Sequence, residues 1–191
     1  ISFSGELAYE VNVPANYGRF MWEKLMQSGE SYQITPYGTE TMHVLRAEKG
    51  YVIVGQDTDG SVTVDDLGLG WAISKTKADF IGKRSLSRPD TVRTDRKQLV
   101  GLLTRDPQSV IPEGAQLVID PRAALPIPMV GHVSSSYYSA CCGHSIALAL
   151  VKGGRERMGE TVFAPLADGR VIEATIAEPL FYDKEGSKAN A

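Results

Sequence analysis

Six short apolar runs recur at residues 98–104, 115–119, 129–136, 145–152, 160–164 and 171–177, and that recurrence constrains the fold more than any other feature. Turn-forming residues separate them: Asp120-Pro121, the stretch from Pro126 to Pro128, Gly153-Gly154 and Asp168-Gly169. The runs have strand length and almost no helical periodicity. They predict a small antiparallel barrel or sandwich.

The residues before this region read differently. Leu7, Tyr9, Val11 and Val13 alternate with polar or small residues, which predicts a half-buried strand over 7–13. Pro14 ends it, and Asn16 is a candidate cap for a helix running to Ser28 and stopped by Gly29. Tyr17, Phe20, Met21, Lys24 and Leu25 follow helical spacing, with the Lys24 stem lying along the apolar face. After a Pro36-Tyr37-Gly38 turn, a second helix is expected from Thr39 to Gly50, leading into a strand at 51–55. Glu40 in its first turn and Lys49 in its last match the helix dipole, and Gly50 can adopt the left-handed conformation that closes a helix. Met42, Leu45 and Lys49 share one face, with Val44 and Ala47 alongside, so this helix is expected to pack on a sheet. A bend from Leu67 to Trp71 precedes an expected strand at 71–74 and a short helix near 82–87. Together these elements predict an α+β arrangement with helices on one face of a sheet.

Residues 87–97 (SRPDTVRTDRK) are charged and hold one large apolar side chain, which reads as a solvated segment at a domain boundary. The expected organisation is a first part over 1–90, a linker over 91–97, the β-region over 98–182 and a polar, frayed tail over 183–191. The net charge of -3, with basic residues scattered among acidic ones, argues against a nucleic-acid footprint. No apolar run approaches the roughly 18 residues of a membrane span, and the first residues do not read as a signal peptide. The two cysteines, Cys141 and Cys142, are adjacent, so a stabilising disulfide is not expected and a reducing, cytoplasmic setting is. Ile1-Ser2-Phe3-Ser4-Gly5 reads as the middle of a strand and turn. The chain is therefore expected to be a piece of a longer one, with an exposed sheet edge that favours self-association.

Few residues suggest chemistry by themselves. Gly68-Leu69-Gly70 lacks the third glycine position and the strand-to-helix setting of a dinucleotide site. Cys141-Cys142-Gly143-His144, with His132 upstream, lacks zinc-ligand spacing. Asp57, Asp59, Asp65 and Asp66 read as a solvated acidic turn, since Gly60 falls too early for a calcium loop. Gly5-Glu6 is more promising. A carboxylate in a glycine-bearing turn before a strand could accept two parallel hydrogen bonds from adjacent N–H donors, the edge that a pterin or guanine presents. The plain alternative is an exposed loop glutamate.

Ser4-Gly5-Glu6-Leu7-Ala8-Tyr9-Glu10, Leu45-Arg46-Ala47-Glu48-Lys49-Gly50, Leu69-Gly70-Trp71-Ala72, Asp79-Phe80-Ile81-Gly82-Lys83, Val130-Gly131-His132-Val133-Ser134-Ser135 and Ser145-Ile146-Ala147-Leu148-Ala149 occur in that order. Together they resemble the folate-binding aminomethyltransferase family, the fold of the glycine-cleavage T-protein. Within it, Glu48-Lys49-Gly50-Tyr51 and the following VGQDTDG are similar to the oxidase branch, the C-terminal part of the α subunits of heterotetrameric sarcosine oxidases. Thr41-Met42-His43 stands where glycine-cleavage members read Ala-Arg-Asp. The resemblance implies a ferredoxin-like half-domain of the folate-binding fold followed by a small antiparallel β-barrel. It implies Glu6 as the pterin-recognising carboxylate and Tyr51 as an aromatic wall. Arg46 and Trp71 match family positions in the same site, with structural roles as their alternative: pairing with Glu48 or a strand end for Arg46, core filling for Trp71. The family's catalytic Asp lies upstream, so no catalytic residue and no metal ligand is expected here, and the chain alone is expected to be inactive. Tetrahydrofolate is the implied cofactor of this part. FAD, FMN and NAD belong to the full complex, outside it, as do a flavin-containing β subunit and small subunits. The implied activity is oxidation of sarcosine with oxygen as acceptor and capture of the one-carbon unit as 5,10-methylenetetrahydrofolate. A glycine-cleavage aminomethyltransferase, a dimethylglycine dehydrogenase relative and a non-catalytic folate-binding scaffold remain the alternatives.

Overall fold

The computed structural model describes residues 2–190; Ile1, which opens the expected strand and turn, and Ala191, which closes the expected tail, lie outside the described residues. All six expected strands of the second half form: β1 (Lys97–Thr104), β2 (Gln116–Val118), β3 (Met129–Ser139), β4 (His144–Lys152), β5 (Thr161–Pro165) and β6 (Val171–Ala177). They close into an antiparallel barrel in the order β1-β4-β3-β2-β5-β6. Alternate residues fill its interior, among them Val100 and Leu102, Ala147 and Ala149, Val162 and Ala164, and Ile172, Ala174 and Ile176.

The opposite faces of β1 and β4 are buried too. Leu99, Ile146, Leu148 and Leu150 form a second apolar cluster with Ala47. That double burial explains why β4 reads as the unbroken run SIALALV, whereas β6 alternates with exposed residues.

The element covering this outer face is a helix. The first half contains α1 (Gly18–Gly29) and α2 (Thr39–Glu48), and α2 packs on β3 and β4 of the barrel, not on a sheet of its own half. The α+β class and the barrel are as expected, but the strands of the first half are not. Residues 7–13 form no strand, and Leu7, Tyr9 and Val11 are exposed. No strand among the described residues pairs with them, and an unpaired strand gains neither hydrogen bonds nor burial. Residues 51–55 contribute only an isolated bridge from Val54 to Thr58. The expected strand at 71–74 is instead a 3-10 turn over Gly70–Ala72, whereas the short helix expected near 82–87 forms, as a 3-10 helix over Lys83–Ser87.

Helix ends also differ in detail. Asn16 makes no side-chain cap; a 3-10 turn over Ala15–Tyr17 follows Pro14, and α1 begins after it with none of its residues buried. In α2 the buried residues are Arg46, Ala47 and Glu48, while Met42, Val44 and Leu45 are half-buried, so the helix docks by a largely polar face. The tail is not frayed over its described part, for Asp183 accepts hydrogen bonds from the Ser187 hydroxyl and backbone and from the Lys188 backbone, shaping a 3-10 turn at Ser187–Asn190.

Candidate functional site

The last turn of α2 carries a dense set of polar contacts. Each residue from Arg46 to Gly50 engages a different partner. The Arg46 guanidinium donates to Asp57, to the Ser135 hydroxyl at 2.6 Å and to the Tyr51 carbonyl at 3.1 Å, and it has no solvent-exposed surface. Ala47 packs into the outer apolar cluster. The Glu48 carboxylate accepts from the Ser139 hydroxyl at the end of β3 at 2.6 Å, and its backbone carbonyl accepts from Phe181 and Tyr182. The Lys49 ammonium reaches the Asp183 carboxylate at 3.2 Å as well as the Asp183 carbonyl. Gly50 closes the helix at φ +68°, and a Cβ there would stand 1.8 Å from the Pro179 carbonyl oxygen. Only glycine fits.

Asp57 is the counterion that seals Arg46. One carboxylate oxygen accepts from Arg46 and the Ile53 backbone N–H, and the other from both the Ser134 and Ser135 hydroxyls at 2.6 Å each. Consecutive strand residues ordinarily point to opposite faces. The β3–β4 register shifts between Val133 and Ser135, and this bulge lets two neighbouring serines face one carboxylate. Asp57 is therefore buried, which corrects the expectation of a solvated acidic turn; Asp66 is buried as well. Arg96 binds Asp66 through Nε and Nη2, which corrects part of the solvated-segment reading, although Arg93, Asp90 and Asp95 are exposed as expected. Burial works to raise the Asp66 pKa, but Arg96 and the Thr63 hydrogen bonds outweigh it and hold the carboxyl below its usual range.

The four sequence-derived binding candidates divide. Arg46 and Tyr51 meet, through the Tyr51 carbonyl and through the Tyr51 N–H donating to the Arg46 carbonyl. Arg46 pairs with Asp57 and not with Glu48, the partner considered from the sequence. The Tyr51 side chain follows the α2 cap and the residue is 40% exposed. Glu6 lies close by. Gly5, at φ +81°, rests on the Lys49 stem so tightly that a Cβ would meet Lys49 Cγ at 2.4 Å. The Glu6 side chain is exposed and has no hydrogen bond or ion pair among the described residues. Trp71 is 78% exposed on its own turn and fills no core; none of the hydrogen bonds among the described residues ties it to Glu6, Arg46 or Tyr51.

Burial pushes the Cys141 thiol above its usual pKa, and the negative charges of Glu48 and, more weakly, Glu6 act in the same direction. Both cysteines are free. Across the barrel wall, burial lowers the His132 pKa and nearby Lys97 adds to the effect, against a weaker pull from Asp59. Among the described residues, no group of three His, Cys, Asp or Glu side chains is placed to hold a metal ion, and no helix is long and apolar enough to cross a membrane.

Comparison with known proteins places this geometry. Residues 1–77 match the GCVT N-terminal domain, and residues 97–183 match the glycine cleavage T-protein C-terminal barrel domain. The chain belongs to the glycine-cleavage T-protein family. It is 50% identical over 98% of its length to the sarcosine oxidase subunit alpha of Corynebacterium sp. (strain P-1), and 42% identical over 98% to that of Rhizobium meliloti (strain 1021). It spans 19% of each of those subunits, about a fifth of their length. Among solved structures, the glycine cleavage system aminomethyltransferase T from Bartonella henselae superposes with a TM-score of 0.71 at 25% identity, covering 90% of this chain and 45% of that one.

For a T-protein family member, the buried lettering takes on a clear structural meaning. The Leu45–Gly50 motif is a docking device between the two family domains, with each polar letter matched to a partner on the barrel side, in the tail or in the loop after the helix. Sequence reasoning missed Asp57, Ser134 and Ser135. Their available signal was the three-serine run at Ser134-Ser135-Ser136, polar where a barrel strand should be apolar.

Proposed function

We propose that this chain forms the C-terminal part of the α subunit of a heterotetrameric sarcosine oxidase and supplies part of a tetrahydrofolate site. The observation that carries this reading is the 50% identity to an oxidase α subunit across nearly the whole chain, against 25% to the aminomethyltransferase T structure. In this reading the division near residue 90, with a linker over 91–97 and the barrel over 98–182, separates the folate-binding part from the barrel that buttresses it.

The residues present fit a pterin. Glu6 offers an exposed carboxylate with no partner among the described residues, in a turn that rests on Lys49 two residues before Tyr51, and a charged acceptor facing two adjacent N–H donors gives a short, directional pair. Tyr51 supplies an exposed stacking face, and Trp71 is a further exposed aromatic residue, on the turn over Gly70–Ala72. Arg46, sealed from solvent, serves by fixing the backbone of Tyr51. When bound, tetrahydrofolate supplies the amine nucleophiles that take the one-carbon unit of oxidised sarcosine as 5,10-methylenetetrahydrofolate, leaving glycine. This chain's share is to orient that nucleophile and exclude water around it. Sarcosine oxidation itself, the electrons passed to oxygen as hydrogen peroxide, and the FAD, FMN and NAD sites belong in this reading to other parts of the α subunit and to the β and smaller subunits.

Calorimetric titration of the full-length protein with 5-formyltetrahydrofolate tests the proposal. Glu6→Gln should weaken binding about a hundredfold, the loss of one charge-assisted pair. An unchanged affinity refutes the site.

A further inference from the structure

Glu6 is free at its side chain and pinned at its backbone, and both pins lead to one residue. On one side, Gly5 lies flat on the Lys49 stem, whose ammonium is held by Asp183. On the other, the Leu7 N–H donates to the Lys188 carbonyl at 3.1 Å, and Lys188 is placed by its own N–H bond to the Asp183 carboxylate. Asp183 takes the left-handed conformation at φ +46°, uncommon for a residue with a side chain, which marks it as held by its surroundings. It and Lys49 are both nearly sealed from solvent.

We propose that Asp183 and Lys49 are positioning residues for Glu6, a strap from the C-terminal tail that fixes the carboxylate before the folate arrives. The proposal rests on the folate reading. Neither residue touches the ligand in this arrangement; each acts on the peptide groups flanking Glu6. A recognition group fixed in advance does not have to be ordered on binding, and its affinity rises accordingly. The tail, expected from its polarity to be loose, thereby becomes part of the site. The strap also explains the lysine at position 49, since Gly5 needs a long unbranched stem beneath it and Asp183 needs a cation at its end.

The test uses the full-length protein. Hydrogen exchange by mass spectrometry on the peptide spanning Glu6 and Leu7 should rise at least tenfold in Asp183→Ala, with the β1 and β4 peptides unchanged. Lys49→Met, which keeps the stem but loses the ammonium, should give a smaller rise and guards against a folding defect in the first variant. Affinity for 5-formyltetrahydrofolate should fall about tenfold in Asp183→Ala, roughly what ordering one residue's backbone requires. In the Glu6→Gln background the same change should have little further effect, because a residue acting through Glu6 has nothing left to position. Unchanged exchange at Leu7, unchanged affinity in Asp183→Ala, or full additivity with Glu6→Gln would each overturn the strap. Loss of the Glu6→Gln effect itself refutes the folate reading, and the strap with it; a retained Glu6 effect without an Asp183 effect refutes the strap alone.

Discussion

Arg46→Met tests the central docking contact. The change keeps an unbranched stem of similar length and removes a guanidinium with no exposed surface. Asp57 then holds a buried charge with no cation, although the Ser134 and Ser135 hydroxyls and the Ile53 N–H still donate to it. Removing one partner of a buried pair costs about 3–5 kcal/mol, and the three surviving donors place this case at the low end, about 3 kcal/mol. For a domain of this size each kcal/mol moves Tm by ~2–4 °C, so the variant should melt about 6–12 °C lower. Urea titration followed by far-UV circular dichroism measures it; Trp22 and Trp71 are both exposed, so their fluorescence would report unfolding poorly. Adding Asp57→Asn removes the stranded charge and should recover part of the loss, so the two changes are non-additive. A single-variant loss below about 1 kcal/mol, the range of exposed pairs, would refute the argument, as would a double-variant loss equal to the sum of the singles.

Gly50→Ala combines a left-handed residue bearing a Cβ, about 1–2 kcal/mol, with a contact that forces the Pro179 segment to move, so the loss should exceed about 2 kcal/mol in the same titration. A loss of only about 1 kcal/mol, the left-handed backbone cost alone, would mean the segment gives way freely. His132 has a folded-state pKa below its ordinary value of 6.5, so as pH falls through that value the unfolded chain takes up the proton first. Stability should be flat above about pH 7 and decline below about pH 6.5, and His132→Gln should remove that part of the slope; equal slopes in thermal melts from pH 7.5 to 5.5 would contradict the assignment.

The clearest lesson concerns charge. The sequence places Asp57 among four acidic residues around a glycine, and its neighbours give no reason to bury it. Its partners are Arg46 on a helix and two serines far along the chain, brought to one side of β3 by a bulge. Lys49 is a similar case, with its counterion in the tail. The reverse error occurs at Leu7, Tyr9 and Val11, whose alternation is sound but whose side chains are exposed because nothing among the described residues lies over them.

What the sequence determined by itself is therefore the local and periodic part. The six barrel strands, the two helices and the glycine that ends α2 follow from alternation, helical spacing and backbone sterics, which depend only on near neighbours. The Glu6 turn was also legible as a candidate, through its glycine and its family lettering. The tertiary structure alone decided that α2 docks by its charged face, that Arg46 is sealed, that Trp71 is exposed and that the tail reaches back to the Glu6 turn. A charge is buried only where a distant partner compensates its desolvation, and that partner is set by the fold rather than by spacing along the chain.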